Sequence, residues 1–165
     1  MRQSPPVVPT STPSVAPVFA TDADALAAAK TAYTGYLAVT DLVGNQGGSD
    51  ATRIAPFVTS AWLPHELGDY RALAKLGESF DGRSRWTYFK IQDRSQSASG
   101  IAEVHAYVCV DVSKSVLLDS KGRDITPKSR VDFFPSVVDL QGRTSGSPVL
   151  LFGGSEPWTG ANFCR

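Results

Sequence analysis

The sequence predicts an α+β fold in which N-terminal helices pack on one face of a four-stranded antiparallel sheet. Apolar residues recur every three to four positions up to about residue 80 and at every second position after it. Three helical segments come first and four strand segments follow, joined by short turn-like sequences. A doubly wound parallel sheet requires alternating strands and helices, so this order excludes it.

The first helix is predicted over residues 21–43. Thr21 is a suitable N-cap, and Asp24 occupies the third helical position, where a capping box places its acidic side chain. One face of this helix is apolar, carrying Leu26, Ala29, Tyr33, Leu37 and Val43. The glycine-rich residues 44–48 then end it.

Two further helices are predicted before the strands begin. A short helix covers residues 49–58, and a longer one covers residues 60–79 with Pro64 in its first turn. Gly77 is the predicted C-terminal stop. The expected buried stripe of the longer helix consists of Leu67, Tyr70, Leu73 and Leu76.

Four strands are predicted over residues 84–94, 101–119, 130–143 and 147–158. Strict alternation in the first strand places Trp86, Tyr88 and Lys90 on one face and Thr87, Phe89 and Ile91 on the other. In the second strand, the even-numbered residues 104–112 are Val and Ala and are expected to meet the helices. The odd-numbered residues Glu103, His105, Tyr107, Cys109 and Asp111 face the other side.

The two cysteines of the chain predict a disulfide between Cys109 and Cys164. If the last strand joins the sheet, residues 161–164 can fold back across the outer face and reach Cys109. Two free thiols are the alternative. A catalytic pair of Cys109 with His105 is disfavoured, because four residues along a strand span roughly 13 Å. His65 and Glu66 lack the second histidine of a zinc-protease helix, so neither a metal nor a cofactor is predicted.

Composition indicates an extracytoplasmic protein that is secreted or anchored to the cell envelope. Residues 1–20 are rich in Pro, Ser and Thr and are predicted to form a disordered tether, with an anchor upstream of residue 1 as the only membrane attachment. A tail on a cytosolic protein is the alternative. Disulfides are typical of oxidising compartments. The 16 basic and 16 acidic residues balance, so no net positive charge attracts the phosphate backbone of a nucleic acid. Nucleic acid is therefore not an expected partner.

A candidate pocket between sheet and helices is predicted for a small hydrophobic ligand. Its proposed lining combines aromatic side chains with a few polar groups: Tyr33, Tyr36, Asp41, Trp62, His65 and Trp86, with Asp69 as a further polar candidate. No catalytic residue is assigned, because Asp111 and Glu103 lie on the face directed away from the helices. Core aromatics without a ligand are the alternative interpretation.

Several residues carry a resemblance to the nuclear transport factor 2 superfamily, which includes ketosteroid isomerases, scytalone dehydratase and SnoaL-like cyclases. They are Ala32-Tyr33, Tyr36-Leu37, Asp41, Gly47-Gly48, Cys109-Val110-Asp111, Trp158 and Cys164. More narrowly, the chain is similar to uncharacterised exported lipoproteins of actinobacteria. The resemblance covers residues 21–165 and implies a single domain with a curved, cone-shaped sheet. Enzymes of the superfamily pair an aspartate with a tyrosine or histidine, a pattern that has no residue-by-residue match here.

The predicted function is therefore that of a non-enzymatic, envelope-anchored domain that binds a protein partner or forms a homodimer. The outer sheet face and the rim of the cone are the expected contact surfaces. The resemblance also implies two alternatives, since fold analogy alone does not select a function. One is a binding protein for a small hydrophobic ligand, and the other is an isomerase- or dehydratase-like enzyme with Asp41 or His65 as the base.

Overall fold

A computed structural model describes residues 15–164. Two α-helices, α1 (Asp22–Asn45) and α2 (Leu63–Leu76), flank a 3₁₀ helix, Ala51–Phe57. Four strands follow: β1 (Ser79–Gln96), β2 (Ala102–Leu118), β3 (Phe133–Gly142) and β4 (Leu150–Pro157). They form one antiparallel sheet in the order β1-β2-β3-β4. The predicted α+β architecture, with helices on a curved four-stranded sheet, is confirmed.

Helix α1 begins with the predicted capping box. The Asp24 amide donates to Thr21 Oγ1 at 3.1 Å, and the Thr21 amide donates to Asp24 Oδ2 at 3.2 Å. Each side chain thereby satisfies an amide that has no partner within the helix. No helix in residues 15–164 is both long and apolar enough to cross a membrane.

The buried face of α2 differs from the predicted stripe. Tyr70 is buried and Leu73 packs against the core, but Leu76 is 64% exposed. The buried line runs through Glu66, Tyr70 and Leu73, and its next position is Gly77, where the helix ends in a left-handed cap with φ 67°. Leu76 lies beside that line, and its predicted burial is wrong.

Bulges in β1 change which of its side chains face the helices. Trp86 pairs with Val110 and Tyr88 with Cys109, so Thr87 is an extra residue without a partner in the ladder. Trp86 consequently shares the helix-facing side with Phe89, and Tyr88 points to the outer face. The prediction that Trp86 and Tyr88 share one face is wrong, because strict alternation fails across a bulge.

The core lies between α1 and the inner face of the sheet. The even-numbered residues of β2 from Val104 to Val110 are buried there, as predicted, and Val112, the last of the predicted row, is partly buried. Phe152 of β4 is 2% exposed and stacks on Tyr36 with a centroid distance of 3.8 Å. Phe19 is also buried, and the Val18 amide donates to Gln96 Oε1 at 2.8 Å. The rest of the predicted tether, residues 1–14, lies outside the described residues.

The C-terminal strap, residues 158–164, crosses the outer face of the sheet. It ends in the predicted disulfide, Cys109–Cys164, whose Cα atoms are 5.3 Å apart. Phe163 packs on Tyr88 and Tyr107, and Trp158 contacts Tyr107. The strap therefore covers the part of the outer face that surrounds Cys109.

Candidate functional site

A groove of about 520 Å³, here called the side groove, runs between α1 and β1. Helix α1 contributes a stripe of residues at three- and four-residue spacing, and β1 contributes four consecutive residues. The lining is Thr34, Leu37, Ala38, Asp41, Leu42, Asn45, Arg83, Ser84, Arg85 and Trp86. The groove lies at an edge of the sheet, because β2 is the one strand that pairs with β1 among the described residues, 15–164.

Asp41 is held in the groove by a second irregularity of β1. The ladder shifts between Arg83 and Arg85, which leaves the Ser84 amide free to donate to Asp41 Oδ2 at 2.8 Å. Burial raises the pKa of the Asp41 carboxyl above its ordinary value, although the hydrogen bond from Ser84 and the charge of Arg83 oppose that rise. Asp41 is thus an acceptor fixed in a partly apolar setting.

A second space of about 330 Å³, here called the inner cavity, shares Asp41 and Ser84 with the side groove. It is lined by Thr40, Asp41, Tyr70, Phe80, Ser84, Val112, Ser115 and Arg130. Arg130 is already engaged, since it donates to Asp132 Oδ1 and to the Ser115 carbonyl oxygen. Burial, followed by the charges of Glu66 and Asp41, raises the pKa of Tyr70 well above its ordinary value.

The structure divides the six residues of the predicted pocket between three environments. Asp41 and Trp86 line the side groove, where Trp86 Nε1 donates to Thr34 Oγ1 at 2.9 Å. Tyr33, Tyr36 and Trp62 pack around Phe152 in the core.

His65 is exposed and stacks on Trp62, with the two ring centroids 4.4 Å apart. Its Nδ1 lies 3.3 Å from Asp69 Oδ2. Neither cavity described above includes His65 or Asp69. The two polar side chains therefore form a surface pair beside the packed aromatics.

The carboxylate of Glu66 organises the packed aromatics and was missed in the sequence. Glu66 is 7% exposed, and its Oε1 accepts from Tyr36 Oη at 2.7 Å and from Trp62 Nε1 at 2.9 Å. Burial, together with the charge of Glu66, raises the pKa of Tyr36 well above its ordinary value. Trp62 and Glu66 are four residues apart, the spacing at which helical side chains meet, and this spacing was the available signal.

Replacement of Glu66 by Ala is expected to lower the free energy of unfolding by about 3 kcal/mol, because it leaves two buried donors without an acceptor. Glu66→Gln keeps a side-chain oxygen and should cost less than half as much. Urea unfolding followed by tryptophan fluorescence measures both. Asp69→Ala is the control, since its pair with His65 is exposed and worth well under about 1 kcal/mol. Equal losses in the three variants would contradict this role for Glu66.

The polar residues of the outer face form ion pairs. Asp111 is 1% exposed and accepts from Arg85 Nε at 2.7 Å and from the Ser113 amide at 2.9 Å. Burial alone would raise the pKa of Asp111, but these hydrogen bonds outweigh it and hold the pKa below its ordinary value.

His105 lies between two carboxylates on the same face, with Nδ1 2.8 Å from Asp93 Oδ1 and Nε2 3.4 Å from Asp139 Oδ1.

In residues 15–164 no three His, Cys, Asp or Glu side chains are grouped so that they could hold a metal ion.

The fold and the site together define a class of protein: an α+β domain with helices packed on a four-stranded antiparallel meander. A disulfide fastens its C-terminal strap to the sheet, and a groove lies beside its edge strand. No protein-family model and no curated protein matches the sequence. Among solved structures, the chain is similar to the intermembrane space region of the chloroplast protein ARC6. The two are 12% identical with a TM-score of 0.58, over 82% of this chain and 97% of that chain. At this identity the likeness shows a shared fold.

Proposed function

We propose that this protein is a non-enzymatic, extracytoplasmic domain, anchored to the cell envelope, that binds a protein partner or a second copy of itself. The observation that carries this proposal is an apolar rim patch at the start of β3. It consists of Val131, Phe133 and Phe134, which are 64%, 43% and 38% exposed. The three lie within four consecutive residues of the chain, and exposed apolar side chains grouped in this way mark interaction surfaces, because exposing them to water is unfavourable without a partner.

The disulfide supports the compartment named in this proposal. Such bonds persist in oxidising environments and are rare in the cytosol, where thiols are kept reduced. The similar ARC6 region also belongs, by its description, to a space between membranes. The nuclear transport factor 2-like family and the actinobacterial lipoprotein context remain part of the proposal, on the residues quoted above.

The rim patch is also a part of the predicted contact surface that residues 15–164 leave open. The strap occupies the outer face near Tyr88, Tyr107 and Cys109, so that area is already packed. Phe133 and Phe134 point to opposite faces of β3, since they pair with Asp111 and Val110. A partner that engages both would therefore wrap around the start of the strand.

Photo-crosslinking tests this function in the cells that produce the protein. A benzophenone amino acid at position 133 of the full chain should give one discrete adduct, whose mass identifies either a partner or a second copy. The matched control is position 141, because Gln141 is exposed on the same face of β3, roughly 27 Å away. Identical adducts from both positions, or none from position 133, would refute partner binding through the rim patch.

A second candidate function is binding of a small hydrophobic ligand in the inner cavity. It is favoured by the partly buried Asp41 carboxyl, which lines this cavity together with Tyr70 and Phe80, since a cavity with few polar groups is typical of ligand sites. An isomerase- or dehydratase-like activity has less support. Of its two proposed bases, Asp41 lines a cavity and His65 is exposed at the surface.

A further inference from the structure

The side groove has the size and lining of a small-molecule site, independently of the rim patch. Its volume of about 520 Å³ lies within the range of roughly 300–1,000 Å³ typical of ligand pockets. Leu37, Ala38 and Leu42 supply an apolar wall from α1, and the Trp86 indole supplies one from β1. Leu42 is 38% exposed, so apolar surface is available to a ligand.

One polar group of the groove can accept a further hydrogen bond. The Ser84 amide and Asp41 Oδ2 are joined at 2.8 Å, which fixes the carboxylate against β1. A carboxylate offers about four acceptor positions, so this contact leaves Asp41 able to receive a donor from a ligand. Because the donor is a backbone amide, the hydrogen bond that fixes the Asp41 carboxylate does not depend on the rotamer of a second side chain.

The groove is lined by two arginines, Arg83 and Arg85, which differ in whether they form a salt bridge. Arg85 is paired with Asp111 at 2.7 Å, whereas the salt bridges formed within residues 15–164 do not include Arg83. Arg83 is exposed and lines the groove together with Asp41, and its charge acts on the Asp41 carboxyl. A free guanidinium binds carboxylates through two parallel hydrogen bonds.

These charges select the chemistry of the ligand. A cation would meet Arg83, Arg85 and the Lys30 ammonium, which lies 5.4 Å from the centroid of the Trp86 ring. A ligand with only a carboxylate would satisfy Arg83 but would meet Asp41 without a donor to offer. Both groups are satisfied by a ligand that carries a carboxylate and a hydroxyl close together.

We propose that the side groove binds a small apolar hydroxy acid. Its carboxylate bonds to Arg83, its hydroxyl donates to Asp41, and its apolar body packs between Leu42 and Trp86. The proposal concerns a different surface from the rim patch, so each can fail without the other.

A titration with 3-phenyllactate, followed by ¹H–¹⁵N correlation spectra of the full chain, tests the site. Three indole resonances are available, from Trp62, Trp86 and Trp158, and only that of Trp86 should shift and saturate. Two comparison probes each lack one group: 3-phenylpropionate lacks the hydroxyl, and 3-phenyl-1,2-propanediol lacks the carboxylate. Each should bind about tenfold more weakly, the usual effect of losing one charge-assisted hydrogen bond.

Two variants separate the roles of the polar groups, and the same spectra report whether each is folded. Arg83→Gln should weaken 3-phenyllactate about tenfold, whereas the control Arg123→Gln, which changes a guanidinium in the β2–β3 turn, should have no effect. Asp41→Asn should narrow the difference in affinity between 3-phenyllactate and 3-phenylpropionate, because the hydroxyl of 3-phenyllactate would then donate to a neutral amide oxygen and not to a charged carboxylate. A general disturbance of the groove would instead weaken the binding of 3-phenyllactate and of 3-phenylpropionate by the same factor.

An unmoved Trp86 resonance would overturn the proposal. Equal binding of 3-phenyllactate and 3-phenylpropionate to the unmodified protein would overturn it as well. Equal affinities of Arg83→Gln and Arg123→Gln for 3-phenyllactate would also overturn the proposal, because the site requires the guanidinium of Arg83.

Discussion

Reduction of the Cys109–Cys164 disulfide is expected to lower the free energy of unfolding by about 4 kcal/mol. The bond closes a loop with a sequence separation of 55 residues, and the chain-entropy relation gives this value for a loop of that length. The loss arises mainly because the reduced unfolded chain gains conformational freedom. Urea unfolding with and without a reducing agent measures the difference.

The strap provides a control for this result. Cys164→Ser should be destabilised as much as the reduced protein, and adding the reducing agent to the variant should change nothing further. In both cases the packing of Phe163 on Tyr88 and Tyr107 should loosen, which near-ultraviolet circular dichroism reports. A difference below about 1 kcal/mol would show that strap packing, without the bond, already holds the C-terminus.

Replacement of Phe152 by Ala is expected to cost about 4 kcal/mol, a value typical of deleting a large buried aromatic ring. Phe152 lies against three aromatic rings, with centroid distances of 5.9 Å to Tyr33, 3.8 Å to Tyr36 and 6.0 Å to Trp62. The cavity left by its ring would border all three. The same urea titration measures the loss.

Phe133→Ala is the matched control for Phe152→Ala, because it makes the same chemical change at a side chain that is 43% exposed. It should cost less than about 1 kcal/mol, since a ring already in contact with water loses little burial. Comparable losses at the two positions would contradict the assignment of Phe133 to an open surface. The pair thus tests both the core and the rim patch.

The residues that hold the fold together are largely separate from those that are proposed to bind. The side chains of Cys109, Phe152 and Glu66 are buried, whereas those of Phe133 and Arg83 are exposed. Variants of Phe133 and Arg83 should therefore change binding while leaving the free energy of unfolding nearly unchanged. This separation allows the binding experiments to be interpreted without a loss of structure.

The elements set by local periodicity were predictable from the sequence. The capping box at Thr21, the apolar face of α1 and the buried even-numbered row of β2 follow from repeats of 3.6 and 2 residues. The disulfide was predictable too, because the chain contains two cysteines and a meander can bring the last strand's continuation across the sheet. For the helix and strand patterns, one short segment contains the whole signal.

Three features depended on the tertiary structure. The bulges of β1 placed Trp86 and Tyr88 on opposite faces and directed the Ser84 amide toward Asp41, because a bulge depends on how neighbouring strands pair. Glu66 became buried because Tyr36, from another helix, supplied a donor beside that of Trp62.

The sequence by itself determined the order, type and approximate bounds of the elements and the cysteine pair. The tertiary structure decided which polar side chains are enclosed and which stay in water. The physical reason is that hydrophobic periodicity is a property of one segment. The surroundings of a carboxylate are instead supplied in part by distant residues that only packing brings close: Ser84 lies 43 positions from Asp41, and Tyr36 lies 30 positions from Glu66.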